Sequence, residues 1–278
     1  YDPRCVDNEQ DKPSWSIPYY EILSKYFYNN QPTALNFYQN PETRNKAQKY
    51  LDEASAKGMN ATDAREYALK YVRPSVEGED LPDNAYNDGA MVNRAIEILT
   101  YLTNDKKPFF FGVGFARPHL PFVAPKKYWD MYKRDEMPLA KFQEHAKNSP
   151  ELAYHNSSEL RTYTDIPPLS SFTDIKANRI GLPIGKQKEL IHGYYAAISY
   201  VDAQIGKLIQ SLDSLGLLKN TIIILWGDHG FHLGDHDLWC KHTNFENATR
   251  SPLIICAPGF KPGKSKSLVE FVDIFPTL

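Results

Sequence analysis

The chain has 278 residues, of which 42% are hydrophobic and 24% charged, and its 32 basic and 34 acidic residues give a formal net charge of −2. This composition is typical of a folded globular protein and excludes disorder of the whole chain, while the nearly balanced charge argues against binding to nucleic acid through phosphate contacts. The longest strongly apolar segments, residues 108–116 and 221–226, are much shorter than the roughly 18 residues of a membrane-spanning helix, so no membrane anchor is predicted.

The first part of the chain has few periodic patterns, and we expect loop-rich surface structure there. The charged segment PETRNKAQKYLDEASAKG at residues 41–58 is typical of a solvated surface helix, and a second short helix is predicted over residues 62–71. Regular patterns begin at Asp88. We therefore divide the chain into a loop-rich surface region, residues 1–87, and an α/β core region, residues 88–278.

The core region alternates predicted helices with predicted strands. A helix begins near Asp88, where apolar residues recur every three or four positions, and a long helix of the same kind covers residues 186–215. Strands are predicted at 109–115, 221–226 and 252–258, and their apolar character on both faces indicates burial. This order is typical of an α/β fold with a mostly parallel sheet between helices, whose active site lies beyond the carboxyl ends of the strands.

Two further features of the core region give structural predictions. Residues 125–183 are polar and rich in proline, so we expect an irregular excursion over the surface. The three cysteines, Cys5, Cys240 and Cys256, are too few and too scattered for a disulfide framework or a zinc site. Cys256 lies at the end of the third strand, and we expect it to be a buried thiol of the core.

A histidine-rich segment follows the strand at 221–226. Four of the eight histidines lie within 14 residues, among aspartates and Lys241, and they are His229, His232, His236 and His242. Asp228 and His229 come directly after the strand, where a carboxylate oxygen and an imidazole nitrogen are suitable ligands for a divalent cation. The alternative is a structural Asp–His pair at a strand end. Lys241 is suitable for holding an anionic oxygen, although a lone lysine is more often a solvated surface residue.

A second polar segment, RPHLPF, follows the strand at 109–115. His119 stands between Pro118 and the pair Leu120-Pro121, and this stiff backbone can aim an imidazole at a reacting group. Arg117 is a candidate anion contact. A hydrogen-bonded structural histidine and a surface arginine are the alternatives for these two side chains. Because both polar segments follow strands, we expect them to converge on one crevice.

These segments together resemble a known enzyme family. The sequence GFARPHLPFVAPKKYWDMY, followed by SYVDAQIGKLIQSLDSLGLLKNTIIILWGDHGFHLGDHDLWCKHTNFENATRSPLII, is similar to the type I sulfatases of the alkaline-phosphatase superfamily. Within that family it is most like the iduronate-2-sulfatase group and its bacterial relatives. The resemblance covers about residues 88–278, with a gap over residues 140–180, and it implies an alkaline-phosphatase-like sandwich with a central, mostly parallel sheet.

The resemblance also implies roles for individual residues. In such sulfatases one calcium ion is held by two aspartates early in the chain, by a late Asp-Asn or Asp-His pair, and by a formylglycine made from the Cys or Ser of a C/S-x-P-x-R motif. Asp228 and His229 match the late metal pair, and His119 and Lys241 match the histidine and lysine that act on the sulfate. The candidates for substrate binding are Arg117, His232 and His242.

The chain also departs from the family pattern. Neither an Asp-Asp dipeptide nor a C/S-x-P-x-R motif occurs in the 278 residues. The nearest approach to the motif, residues 256–260, has Phe260 where arginine is required. The resemblance therefore implies that an upstream sulfatase segment, covalently joined or a separate cleaved chain, packs against the strands and supplies the formylglycine and the aspartate pair.

The predicted function is hydrolysis of O-sulfate esters, with the 2-O-sulfate of a uronate or related sugar in a sulfated polysaccharide as the expected substrate. The resemblance implies a periplasmic, extracellular or lysosomal location. One alternative is a metal-dependent phosphatase or phosphodiesterase of the same superfamily with two zinc ions, which His232 and His236 keep open. Another is a non-catalytic carbohydrate-binding relative, suggested by the absent nucleophile motif and the 13% aromatic content.

Overall fold

The computed structural model describes residue 26 and residues 34–166 and 181–278. Its helices are α1 (Pro41–Ala56), α2 (Ala61–Leu69), α3 (Asn87–Asp105), α4 (Lys126–Trp129), α5 (Ile184–Ser214), α6 (Glu246–Thr249) and α7 (Ile274–Thr277). Its strands are β1 (Val76–Glu77), β2 (Phe122–Val123), β3 (Ile223–Trp226), β4 (His232–Leu233), β5 (Trp239–Cys240) and β6 (Leu253–Cys256). This mixture of helices and strands confirms the α/β class.

The strands of the described residues form three pairs. The β1–β2 pair is parallel, whereas the β3–β6 and β4–β5 pairs are antiparallel, so the mostly parallel order expected from the sequence is not found in this part of the chain. The predicted strand at 109–115 forms no regular element, and Phe110 within it is 68% exposed. A strand needs the backbone of a neighbour for its hydrogen bonds, and the described residues place none beside this segment.

The region before Asp88 belongs to the same packing unit as the rest. Both helices predicted there are present, and each begins at an asparagine cap: the side chain of Asn40 accepts the N–H of Thr43, and Asn60 caps α2 in the same way. Strand β1 of this region pairs with β2 of the core region. The division between residues 87 and 88, which separates two regions of one predicted domain, stays a prediction.

Helix α5 organises the core. Its apolar stripe packs against α3, α4 and β2, and Leu190, Ala196 and Tyr200 are fully buried within it. Burial of each large apolar side chain contributes roughly 1.5–3 kcal/mol to folding. Gly193 allows close approach, because a Cβ at this position would lie 2.8 Å from the Trp129 ring and 2.9 Å from Cβ of Phe122.

The segment 125–183 differs from the surface excursion predicted for it. Its described part contributes buried side chains to the same core as β2, β5 and α5, namely Met137, Leu160, Tyr163, Ile166 and Leu182. Residues 167–180 of the segment lie outside the described residues. The backbone of the described part is irregular, yet these five apolar side chains pack inward, because their burial removes apolar surface from water.

The β3–β6 pair is exposed, in contrast to the buried strands that the sequence predicts. Trp226 in β3 is 48% exposed and Ile254 in β6 is 58% exposed. Cys256, expected to be a buried core thiol, is also exposed, whereas Cys240 is buried. The reason is that the described residues do not cover the faces of this two-stranded sheet. None of the described helices has the length and apolar character needed to cross a membrane.

Candidate active site

The loop that carries His119 is fixed by its neighbours. It precedes β2, and the peptide bonds before Pro118 and Pro121 are both cis. The backbone N–H groups of Ala116 and Arg117 donate to the carboxylate of Asp88, at 3.0 and 2.9 Å, in the first turn of α3. The N-terminus of α3 therefore anchors the start of the loop.

Arg117 holds the backbone of this loop. The residue is only 5% exposed, and its guanidinium lies over the ring of Phe37, 4.7 Å from the centroid. It donates to the carbonyl oxygen of His119 at 2.5 Å and also to that of Pro121. The sequence predicts a contact with substrate, but this buried placement gives Arg117 a structural role in shaping the loop.

His119 is oriented by a backbone contact and meets Lys241. Its Nδ1 lies 2.6 Å from the carbonyl oxygen of Leu120. Because a carbonyl only accepts hydrogen bonds, Nδ1 carries a proton and Nε2 is the nitrogen left for chemistry. That Nε2 lies 2.8 Å from Nζ of Lys241. The structure thus brings together the two residues assigned to catalysis.

Lys241 reaches this position from a buried hairpin. It directly follows β5, whose residues Trp239 and Cys240 are fully buried and pair with β4. Burial raises the pKa of the Cys240 thiol, so it stays protonated beside the site. The rigid hairpin delivers the ammonium group of Lys241 to a place where its side chain is only 17% exposed.

A largely buried carboxylate that the sequence reasoning missed completes the cluster. Oε1 of Glu159 lies 2.9 Å from Nε2 of His119 and 3.1 Å from Nζ of Lys241. Burial alone would raise the pKa of Glu159, but the hydrogen bond and charge of His119 and the charge of Lys241 lower it to about 2. A single glutamate in a proline-rich segment belongs to no recognisable motif, so the sequence gives no signal for it. Its position becomes clear only in the structure, where the neighbouring Leu160 is packed into the core.

Two more histidines border the cluster. His242 lies at its edge, with Nδ1 3.9 Å from Oε2 of Glu159. The ring of His155 packs edge-on against that of His242, with centroids 5.6 Å apart. Burial, together with the charges of His242 and His232, lowers the pKa of His155 to about 4, so His155 is neutral near neutral pH.

His232 lies apart from solvent. It is fully buried in β4, and its Nε2 lies 2.7 Å from Oγ1 of Thr243. Burial also lowers the pKa of this imidazole. The sequence predicts a substrate contact for His232, but the buried side chain instead contacts Thr243 in the turn after Lys241.

His236 makes a separate contact, with Nδ1 2.8 Å from the carbonyl oxygen of Glu144. His232 and His236 therefore contact different groups. No group of three or more His, Cys, Asp or Glu side chains within residues 34–166 and 181–278 is arranged to hold a metal ion. This geometry does not favour the zinc pair considered for these two histidines.

Asp228 and His229 lie directly after β3 and have the geometry of two ligands of one cation. Oδ2 of Asp228 is 3.4 Å from Nε2 of His229, and two ligands that each lie about 2.4 Å from an ion at a right angle are about 3.4 Å apart. Nδ1 of His229 lies 2.7 Å from the carbonyl oxygen of Gly230, which leaves the Nε2 lone pair available. The Asp228 side chain is 85% exposed, so this pair can offer two ligands to a cation at the surface, and the calcium ion expected here stays a prediction.

The two pairs are not connected in the described part of the chain. No hydrogen bond or ion pair there joins Asp228 or His229 to His119 or Lys241. The convergence of the metal pair and the catalytic pair on one crevice therefore stays a prediction. What the structure does assemble is a basic cluster of Lys241, His119 and His242 around one carboxylate, an arrangement suited to an anion.

Comparison with known proteins shows which family this chain is similar to. The family model described as "Sulfatase" matches residues 19–278. Human iduronate 2-sulfatase is 32% identical over 225 residues, which are 72% of this chain and 40% of that protein. The arylsulfatase of Clostridium perfringens is 32% identical over 201 residues, covering 70% of this chain and 38% of that protein. The chain thus spans about 40% of the length of these curated relatives.

A solved structure supports the fold. The phosphonate monoester hydrolase from Silicibacter pomeroyi aligns with a TM-score of 0.52 at 24% identity, over 77% of this chain and 42% of that chain. At this identity the likeness concerns the fold alone. It agrees with the alkaline-phosphatase-like architecture expected from the sequence.

Proposed function

Because the chain belongs to the sulfatase family, we propose that it forms the sulfate-binding part of a catalytic domain that hydrolyses O-sulfate esters. The observation that carries this proposal is the 2.8 Å contact between Nε2 of His119 and Nζ of Lys241 beside a buried carboxylate. A sulfate group presents several acceptor oxygens close together. Two adjacent nitrogen donors on rigid backbone are a suitable receptor for such a group.

The two donors have different roles in this proposal. Lys241 is a fixed positive charge that binds sulfate oxygens before and during the reaction. His119 acts on the leaving group, since Nε2 is its only nitrogen that is not held by the backbone. As a nucleophile supplied from outside this chain forms a bond to sulfur, the ester S–O bond breaks, its electron pair stays on the sugar oxygen, and the Nε2 proton moves to that oxygen.

We also propose that Asp228 and His229 hold one calcium ion, which supplies positive charge next to the sulfate when bound. The 278 residues contain no motif for a formylglycine. The nucleophile and the remaining metal ligands are therefore assigned to residues outside this chain, in an upstream segment that is covalently joined or present as a cleaved partner. The exposed apolar faces of β3 and β6 support such a partner, because an upstream segment packed on them would bury side chains that face solvent in this chain.

For the substrate we propose the 2-O-sulfate of a uronate or related sugar in a sulfated polysaccharide. The support is similarity to a human protein whose name states that it acts on iduronate 2-sulfate. Enzymes with such substrates work where polysaccharides are degraded, so a periplasmic, extracellular or lysosomal location is part of the same proposal.

The test uses the complete enzyme, including the segment that carries the nucleophile. Sulfate release is measured from a 2-O-sulfated uronate disaccharide, from its 6-O-sulfated hexosamine isomer and from 4-nitrophenyl sulfate, with 4-nitrophenyl phosphate and a phosphonate monoester as controls. We expect kcat/KM to be highest for the 2-O-sulfated sugar. Faster turnover of the phosphorus esters, with two zinc ions per protein, would instead support the phosphatase or phosphodiesterase alternative.

A further inference from the structure

We propose that Glu159 is a positioning residue whose carboxylate keeps a proton on Nε2 of His119, so that the imidazole is ready to protonate the leaving oxygen. This inference rests on the proposed function and deepens it. It adds a residue from the proline-rich segment to a site otherwise built from the loop before β2 and the hairpin of β4 and β5.

Both ring nitrogens of His119 face hydrogen-bond acceptors. Nδ1 lies 2.6 Å from the carbonyl oxygen of Leu120, and Nε2 lies 2.9 Å from Oε1 of Glu159. A carbonyl and an ionised carboxylate accept hydrogen bonds and donate none. Only an imidazole with protons on both nitrogens donates to both partners, so this environment favours the doubly protonated ring.

Lys241 has the opposite effect on the protonation of His119. Its Nζ lies 2.8 Å from the same Nε2, and an ammonium group donates its protons to a bare ring nitrogen. Lys241 therefore favours a neutral imidazole whose Nε2 has no proton to give. Glu159 decides between the two states, because Oε1 accepts from both cations and its negative charge offsets their mutual repulsion.

No other described side chain of this cluster supplies a negative charge in place of Glu159. His242, 3.9 Å from Oε2 of Glu159, adds positive charge when it is protonated. The neutral His155 packs against His242, and the buried Cys240 thiol stays protonated. Glu159 is thus the negative group of the cluster, and the 17% exposure of its side chain keeps its field from being strongly screened by water.

The consequence depends on the leaving group. A sugar alkoxide is a strong base and needs the proton as the S–O bond breaks, whereas 4-nitrophenolate is a weak base and leaves with little assistance. Glu159→Gln keeps the size of the side chain and removes its charge. In the complete enzyme we expect kcat for a sugar sulfate to fall by roughly 10- to 100-fold, with less than about a threefold change for 4-nitrophenyl sulfate.

Two variants control this experiment. Glu159→Asp keeps the charge, and it should recover part of the lost kcat on the sugar sulfate. Glu189→Gln is the matched control, since Glu189 on α5 is also a partly buried glutamate. It is paired with Lys186 at 2.6 Å and with Arg134 at 3.3 Å. We expect Glu189→Gln to leave the ratio of the two rates unchanged. An equal loss on both esters in Glu159→Gln, as misfolding would cause, would overturn the inference.

A second measurement needs no turnover. Long-range ¹H–¹⁵N NMR of the His119 imidazole distinguishes a doubly protonated ring from the neutral form protonated only on Nδ1. At a fixed pH we expect a larger share of the doubly protonated pattern in the parent enzyme than in Glu159→Gln. Identical spectra would overturn the assignment of Glu159. Absence of sulfate-ester hydrolysis in the parent enzyme would instead refute the proposed function, so the two failures are distinguishable.

Discussion

Nε2 of His119 and Nζ of Lys241 lie 2.8 Å apart although 122 positions separate the two residues in the chain. His119 is held in the loop before β2 by contacts with Arg117 and Leu120, and Lys241 is held by the buried β4–β5 hairpin. Because both supports are rigid, the pair is preorganised, which reduces the cost of aligning donors when an anion binds.

His119→Ala removes the proposed proton donor. In the complete enzyme we expect kcat on a sugar sulfate to fall by roughly 10² to 10⁴, because the leaving oxygen then departs without a proton. Steady-state kinetics measure the change, and thermal unfolding checks that the fold survives. Unchanged turnover would remove His119 from the mechanism. His236→Ala is a matched control, since the His236 imidazole contacts the carbonyl oxygen of Glu144 and the ring of Phe245.

Lys241→Ala removes a charge that contacts sulfate in both the ground and the transition state. We expect KM to rise and kcat to fall together, and inorganic sulfate to inhibit the variant at least 10-fold more weakly. Inhibition constants for inorganic sulfate provide the measurement. The exposed Lys147 serves as control, and Lys147→Ala should behave like the parent enzyme. Sulfate inhibition that is unaffected in Lys241→Ala would contradict the assigned contact.

Asp228→Asn tests the proposed calcium site. The amide keeps the size of the side chain but weakens its attraction for a cation. We expect metal analysis to find one calcium ion per molecule of complete enzyme, and the variant to need at least 10-fold more calcium for half-maximal protection against heat. Asp213→Asn, at the end of α5, is the control. Two zinc ions and no calcium would contradict the proposal.

Asp83 makes stability depend on pH. Its carboxylate contacts Nζ of Lys127 at 2.7 Å and Nζ of Lys207 at 2.6 Å; burial alone raises its pKa, but these partners lower it from 3.8 to about 2. The folded pKa lies below the unfolded one, so the stabilisation is present above about pH 4 and is lost as pH falls toward 2. We expect Asp83→Asn to lose roughly 1–2 kcal/mol at pH 7, and the difference to shrink below pH 4.

Urea unfolding of the complete enzyme at several pH values measures this difference. Asp130→Asn is the control, because Asp130 forms an exposed pair with Lys126, and such pairs contribute little. A loss in Asp83→Asn that stays constant between pH 7 and pH 3 would indicate a packing effect rather than the ionised carboxylate.

The exposed faces of β3 and β6 predict how the 278 residues behave alone. Trp226 and Ile254 present apolar surface to solvent, and a bare sheet edge promotes association. We expect the chain by itself to bind a hydrophobic dye and to self-associate, and co-expression with the upstream sulfatase segment to suppress both. Light scattering and dye fluorescence measure the effect. A stable, dye-free monomer with full sulfate-ester hydrolysis would contradict the need for a partner.

The sequence by itself determined the local structure and the chemistry of individual motifs. The periodicity of α3 and α5, and the positions of Asp228 and His229 after a strand, follow from residues that are neighbours along the chain. Such patterns depend on a few adjacent turns of backbone, which is why they could be predicted. The family resemblance rested on the same local motifs.

Only the tertiary structure decided which side chains meet. It turned Arg117 inward onto backbone carbonyls, buried His232, left β6 exposed and placed Glu159 between His119 and Lys241. These outcomes depend on how segments distant in sequence pack, and the burial of a charge depends on partners that no spacing rule encodes. A lone glutamate in an irregular loop becomes part of a site only because Leu160, next to it, is packed into the core.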